Sequence, residues 1–321
     1  MILTITLNPL LERRYSFERT ITGRENRNGA VELKAGGKGI NVSRQLNFLN
    51  LTSTAYTFLG GTNGKIYKEI LLKENIKLIP FRIENETRDA AVIIDRSSGS
   101  ISTYFRENSR ISSCEANEFA GRLKKMIENC EIVVFSGTSS CVETDFIFPA
   151  GIEYANKFDK ISICDTYGSH LKDCIDRSPT IIHNNINEIE SSLNISLNSE
   201  KDKIDFLDFL YSKEIKQSYL TDGGSPLFAA NFDYHYAAGL PVVETVDSTG
   251  SGDSFVAGIV YAWYNDLTFE EGIILASALG AVNAASSETC TVKLQDIQKL
   301  KSLVRISPIG KKMKTLDVTS I

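Results

Sequence analysis

The 321-residue chain has no run approaching the ~18 consecutive apolar residues of a membrane-spanning helix, so no membrane association is expected. It has no excess of positive charge either. Lys and Arg total 35 against 40 Asp and Glu, a net charge of −5, which removes the basic footprint of a nucleic-acid binder. Histidine is scarce, at three residues, and the six cysteines (Cys114, Cys130, Cys141, Cys164, Cys174 and Cys290) never form a Cys-x-x-Cys pair. A metal cluster and a disulfide framework are both disfavoured, and reduced thiols in a cytoplasmic protein are expected. The first residues, MILTITLNPLLERRY, reach Asn8, Pro9 and Glu12-Arg13-Arg14 too soon for an export signal. Mild acidity still leaves anionic ligands open, because local fields and backbone amides bind them whatever the total charge.

What the chain does have is alternation. Strand-like runs (ILTITL, TAYTFLG, EIVVFSG, KISICD, TIIH, QSYLT, PLFAA, YHYAA, PVVETV) are interleaved with helical patterns. The helical patterns cover about 39–50, 65–74, 143–157, 187–193, 201–213, 253–265, 269–285 and 294–303. Such order predicts an α/β fold, a mostly parallel sheet with helices on both faces. Two segments break it, roughly 12–34 and 88–106, where strand-like residues come without a helix between them. DAAVIIDRSSGSISTYFRE reads as two strands about a Ser-Ser-Gly-Ser turn, forming a small separate sheet. Residues 1–304 read as one domain and 305–321 as a polar C-terminal tail.

Glycines are concentrated where chemistry is expected. In VDSTGSGDSFVAG (246–258), Gly250 and Gly252 bracket Ser251 just before an apolar pattern of helical spacing, and Asp253 falls on the first turn. Glycine admits positive φ and close approach of a ligand. The helix start that follows offers unpaired N–H groups and partial positive charge to a phosphate. A carboxylate there can accept an alcohol proton late in a loose phosphoryl-transfer transition state. Spacing alone leaves two readings with equal standing: a phosphoryl-transfer site, or a tight turn with Asp253 as a helix cap. GGTNGKI (60–66) is not a Walker A loop, being one residue short and carrying Ile66 where Ser or Thr would hold magnesium.

Three motifs together carry a resemblance. DSTGSGDSF resembles the D-T-x-G-A-G-D signature of the PfkB-type, ribokinase-like carbohydrate kinases. KAGGKGINVSR (34–44) resembles their G-G-x-G-x-N motif, and TLNP (6–9) is similar to the opening of the hexose-phosphate branch. The resemblance implies a three-layer ribokinase-like α/β domain with a β-sheet lid that commonly mediates homodimers. It also implies ATP with Mg²⁺, and a sugar or sugar phosphate as partner. Asp253 would be the catalytic base, with the amides around Gly250, Ser251 and Gly252 as anion hole. Gly36, Gly37 and Asn41 would hold the sugar, and Glu12 stands where the family has Asp. Lys38 and Arg88 would grip an acceptor phosphate, although surface charge is the alternative for each. Asn185 and Glu188, in HNNINEIE, match N-x-x-E and would organise Mg²⁺, although the same pattern is also a common helix start. Thr221 and Gly223 would meet the nucleotide phosphates, and Asn283 either the adenine or the helix core.

Departures from the family pattern accompany these matches. Besides Glu12, the usual Lys-Pro-Asn is His183-Asn184-Asn185, the Ser-Gly-Ser-Leu-Pro turn is SGTSS (136–140), and Pro226 replaces a glycine after TDG. The expected activity is ATP-dependent phosphorylation of a primary hydroxyl of a ketohexose phosphate, fructose 1-phosphate first and tagatose 6-phosphate second. The rival is a sugar-phosphate or nucleotide sensor on the same fold with little turnover.

Overall fold

The computed structural model describes residues 1–309. Along the chain come β1 (Ile2–Thr6), β2 (Leu10–Phe17), β3 (Ala30–Gly36), α1 (Lys38–Phe48), β4 (Ser53–Leu59), α2 (Gly61–Lys73) and β5 (Lys77–Arg82). Next are β6 (Asp89–Asp95), β7 (Ser100–Phe105), α3 (Ser113–Glu128), β8 (Ile132–Ser136), α4 (Ile147–Lys157), β9 (Ile161–Asp165), α5 (Leu171–Ile175), β10 (Ile181–Asn185), α6 (Ile186–Leu193) and α7 (Glu200–Ser212). The last are β11 (Gln217–Thr221), β12 (Leu227–Asn231), β13 (Tyr234–Gly239), α8 (Ser251–Tyr264), α9 (Phe269–Ala284), α10 (Gln298–Lys301) and β14 (Arg305–Ile309).

Ten strands form one sheet in the order β14-β13-β12-β11-β10-β9-β8-β1-β4-β5. The seven from β11 to β5 run parallel, and β12, β13 and β14 close one side antiparallel. β1 is buried at every position because strands flank both its edges and helices cover both faces. Its side chains alternate accordingly. Leu3 and Ile5 join the core beneath α3, α4, α5, α6 and α7, while Ile2 joins the core beneath α1, α8 and α9. The result is the three-layer α/β sandwich expected from the alternation.

β2, β3, β6 and β7 form a separate four-stranded sheet in the order β3-β2-β6-β7. β6 and β7 pair antiparallel from Asp95↔Ser100 outward, the hairpin read from the Ser-Ser-Gly-Ser turn. β3 ends at Gly36, immediately before α1, so this small sheet hangs over the start of that helix.

Several elements differ from the sequence reading. The run 241–246 is not a strand, and Val242 and Val246 are exposed. The free edge of β13 that it would need is taken by β14, with His235↔Ile309 to Gly239↔Arg305 in register. The tail expected from 305 therefore begins as an edge strand, and residues 310–321 lie outside the described residues. The 294–303 helix shrinks to α10. Helix α3 was not foreseen, although Ser112 and Glu115 form a reciprocal capping box at its start, a signal present in the sequence. Among the described residues, no helix is long and apolar enough to cross a membrane.

Candidate active site

The carboxyl ends of four adjacent parallel strands deliver Ser136 (β8), Asp165 (β9), Asn185 (β10) and Thr221 (β11) to one rim of the sheet. Ligands of open parallel α/β sheets bind at such a rim, because the strand ends and helix starts converge there. The start of α8 packs over the rim, with His183 and Phe255 stacked at a centroid distance of 5.1 Å. Gly250 caps α8 with φ +79°, a left-handed conformation that a side chain would strain, and a Cβ there would also lie 2.4 Å from Thr289. Of the amides read as an anion hole, that of Ser251 is spent on the Ser248 carbonyl at 3.1 Å. The N–H groups of Gly250 and Gly252, and that of Asp253 beyond them, have no partner among the described residues and remain open to a ligand.

Asp253 is not a helix cap. α8 has no side-chain capping bond, and the Asp253 carboxylate instead accepts from Asn41 Nδ2 at 2.7 Å. Asn41 is itself held by Arg44, whose Nη1 donates to its Oδ1 at 2.7 Å, so the amide orientation is determined. Asn41 was read as a sugar ligand; one N–H of its amide holds the Asp253 carboxylate, and the second has no partner among the described residues. Burial pushes the Asp253 carboxyl up to about 7, and Asp165 and Glu188 add to the rise, while Lys38 and the Asn41 hydrogen bond oppose it.

Lys38, the first residue of α1, places Nζ 2.7 Å from Glu188 Oε1 and 3.6 Å from Asp165 Oδ1. Burial would lower its pKa, but Asp165, Glu188 and Asp253 outweigh it and hold the ammonium charged. Lys38 thus ties the start of α1 to the end of β9 and the first turn of α6, and its charge is balanced by carboxylates. Gly37 precedes it with φ +126°, and a Cβ there would meet Thr6 at 2.9 Å, so the turn into α1 needs glycine.

Asp165, which the sequence reading passed over as the end of KISICD, is fully buried beside this group. It accepts from Ser136 Oγ at 2.6 Å and lies 3.0 Å from His183 Nδ1. Burial alone would raise it, yet Lys38, His183 and Ser136 together hold it below the ordinary carboxylate range. His183, standing where the family has Lys, reaches Thr221 Oγ1 with Nε2 at 3.2 Å. It therefore bridges Asp165 to the residue read as a nucleotide contact. Gly223, with φ +54°, lies in an open turn beyond Thr221 where an added Cβ would meet nothing. Asn283 is fully buried, and its amide is spent on Thr249 O, Ser251 Oγ and Cys290 N. It braces the glycine loop, in line with the packing alternative read beside the adenine contact.

Asn185 and Glu188 form a reciprocal capping box at the start of α6, the commonplace role of N-x-x-E. Among the described residues, no group of three or more His, Cys, Asp or Glu is arranged to hold a metal ion. Mg²⁺ bound with a nucleotide asks for less, one or two carboxylates completed by phosphates and water. Glu188 keeps spare lone pairs on both oxygens and is partly exposed, so it fits such a partial site.

The small sheet supplies the other wall. Glu12 on β2 pairs with Arg14 Nη1 at 3.2 Å, and Arg14 Nη2 reaches Asp247 at 3.7 Å, which joins the lid to the glycine loop. A Cβ at Gly36 would lie 2.9 Å from Glu12 Oε1, so the glycine makes room for this longer acid. Arg88 donates to Asn108 Oδ1 at 2.8 Å and Asn8 O at 3.2 Å, with Nε directed to Pro9 O at 3.4 Å. It makes no ion pair among the described residues, and burial pulls its pKa down. Asn8 Nδ2 lies 3.1 Å from Asn108 Oδ1 and 3.4 Å from Thr138 Oγ1, while the buried Asn8 Oδ1 has no partner. Arg88, Asp89, Arg106, Asn108 and Arg110 line a cleft of about 760 Å³. TLNP had marked Asn8, but Asn108 and Thr138, which meet it from 100 and 130 residues away, were missed, as was Arg14, whose contact with Asp247 spans the chain from β2 to the glycine loop.

The model of the pfkB family of carbohydrate kinases matches residues 3–296. The chain is 29% identical over 293 residues to tagatose-6-phosphate kinase of Staphylococcus epidermidis, covering 90% of this chain and 94% of that one. A possible 1-phosphofructokinase from Thermotoga maritima superposes with a TM-score of 0.87 at 24% identity, covering 96% of this chain and 99% of that one. Phosphofructokinase-2 from Escherichia coli gives 0.84 at 21%, covering 94% and 98%. These two structural likenesses establish the ribokinase-like fold, and the family match spans the glycine loop, Asp253 and the lid. The chain is a member of the PfkB family of carbohydrate kinases.

Proposed function

We propose that this kinase transfers the γ-phosphoryl group of ATP to a primary hydroxyl of a ketohexose monophosphate, producing the bisphosphate. The observation that carries the reaction is the buried Asp253 carboxylate at the same helix start as the unpartnered amides of Gly252 and Asp253. A base poised near neutrality accepts the hydroxyl proton as the bond to phosphorus forms. The amides receive charge developing on the transferred oxygens. Asn41 keeps the carboxylate aimed, and Lys38 screens it from Glu188 and Asp165.

Arg88 supports a phosphorylated acceptor. Its guanidinium has no carboxylate partner among the described residues and keeps N–H groups free on both terminal nitrogens. A dianionic phosphate there gains charge-assisted hydrogen bonds that a neutral sugar cannot. Gly36 and Gly37 line the approach of the sugar, and Glu12 faces it from the lid. On the other side, Thr221 and Gly223 take the nucleotide phosphates. Mg²⁺ bound with ATP would be held through Glu188 and Asn185, and it supplies charge neutralisation of the phosphates. The named Staphylococcus epidermidis relative favours tagatose 6-phosphate as acceptor, with fructose 1-phosphate second. The exposed lid residues Val31, Tyr104 and Phe105 support a homodimer through that sheet, and six free cysteines fit a cytoplasmic location.

An ADP-release assay over ketohexoses and their 1- and 6-phosphates tests the reading. Much faster turnover of phosphorylated ketohexoses than of neutral ones is expected. Nucleotide binding without turnover on any acceptor would overturn it in favour of a sensor.

A further inference from the structure

Two residues beyond Asp165, the chain places Tyr167 at the end of β9 and then turns away through Gly168, which has φ +99°. Tyr167 is half-buried, and the Lys38 ammonium lies 4.8 Å from its ring centroid. That cation is anchored by Glu188 and Asp165, so it pins the ring against the site. The phenol hydroxyl makes no hydrogen bond among the described residues and is not among the buried unsatisfied groups, so it is open to a ligand. Around Arg88 the titratable groups that act on the guanidinium are two phenols, Tyr167 ahead of Tyr67. Tyr67 is fully buried and already donates to Gly36 O at 2.7 Å. Tyr167 is therefore the phenol with a free donor, between the cation that faces the base and the cation that has no anion.

We propose that Tyr167 is an acceptor-binding residue that donates its phenol hydroxyl to the phosphate held by Arg88 and walls the acceptor site with its ring. The inference rests on the reading that the acceptor is a sugar phosphate, and it assigns that phosphate a second donor. A phosphate monoester dianion offers several strong acceptor oxygens, and Arg88 fills only part of that set. The aromatic ring, with few rotatable bonds and held by Lys38, defines how far the phosphate stands from Asp253. Acceptors whose phosphate lies at another distance from the reacting hydroxyl are then placed poorly.

The test uses wild type, Tyr167→Phe and Tyr167→Ser, with tagatose 6-phosphate, fructose 1-phosphate, fructose 6-phosphate and unphosphorylated tagatose and fructose. Tyr167→Phe should raise KM for the best phosphorylated acceptor ~10-fold, the scale of one hydrogen bond to a charged group. Its kcat, its KM for ATP and its melting temperature should stay near wild type. Tyr167→Ser should in addition change the ranking of the phosphorylated acceptors, because the wall is removed. If wild type prefers phosphorylated sugars and Tyr167→Phe leaves their KM unchanged, Tyr167 does not touch the phosphate and the proposal falls alone. If wild type shows no preference for phosphorylated sugars, the reading of the acceptor falls and this inference with it.

Discussion

Replacing Asp253 by Asn should destroy activity and stabilise the fold, and both effects come from one buried charge. The carboxyl rises from an ordinary value of 3.8 to about 7, with burial the largest cause. At ~1.36 kcal/mol per pKa unit, that rise corresponds to a penalty of about 4 kcal/mol for ionising the group in the free enzyme. The folded state holds the proton more tightly than the unfolded chain. Its advantage is therefore complete below about pH 4, declines as pH rises, and is gone above about pH 7. Asparagine is nearly isosteric and neutral, and its carbonyl can still accept from Asn41 Nδ2. The variant should unfold at higher denaturant concentration than wild type at pH 8, by at most about 4 kcal/mol, with the difference shrinking toward pH 4. The kcat should fall at least ~10²-fold, the scale of a lost general base. Urea titrations from pH 4 to 9, paired with initial rates, measure both. A variant no more stable at pH 8 than at pH 4, relative to wild type, would refute the buried-charge argument. Near-normal kcat would refute the assignment of the base.

Because the proton must leave Asp253 before the base can act, wild-type kcat/KM should fall on the acid side of about pH 7. Removing the Asn41 donor in Asn41→Ala should move that limb to higher pH, since the hydrogen bond favours the ionised form. Arg88→Ala should raise KM for a sugar phosphate ~10-fold or more and leave neutral sugars unaffected; equal effects on both would remove it from the phosphate site. Glu12→Asp draws the carboxylate back from Arg14 by one methylene and should re-rank acceptors in a kcat/KM panel, whereas unchanged rank and rates would exclude Glu12 from the sugar site. Asn283→Ala leaves the buried Cys290 N–H without its partner, at ~1–3 kcal/mol, and calorimetry should show a lowered Tm.

Local pattern alone was sufficient for much of this protein. The alternation of apolar runs named the layered α/β class, because a strand buried on both faces must be apolar throughout and an amphipathic helix must repeat every three to four residues. The Ser-Ser-Gly-Ser turn named the β6–β7 hairpin, and the glycines before α8 named the turn into that helix. Each of these is a constraint acting over a few neighbouring residues. What tertiary structure decided concerns partners distant along the chain. Asn41 and Asp253 are 212 residues apart, and only their approach shows that Asn41 holds the Asp253 carboxylate and that Asp253 caps nothing. Asp165 looked like a strand end until Lys38, Ser136 and His183 converged on it. Lys38 and Arg88 were equal as cations in the sequence; the fold paired one with carboxylates and left the other without. β14 occupies the sheet edge that 241–246 would need. A side chain's neighbours set its charge state and its free hydrogen bonds, and those neighbours come from the fold as a whole.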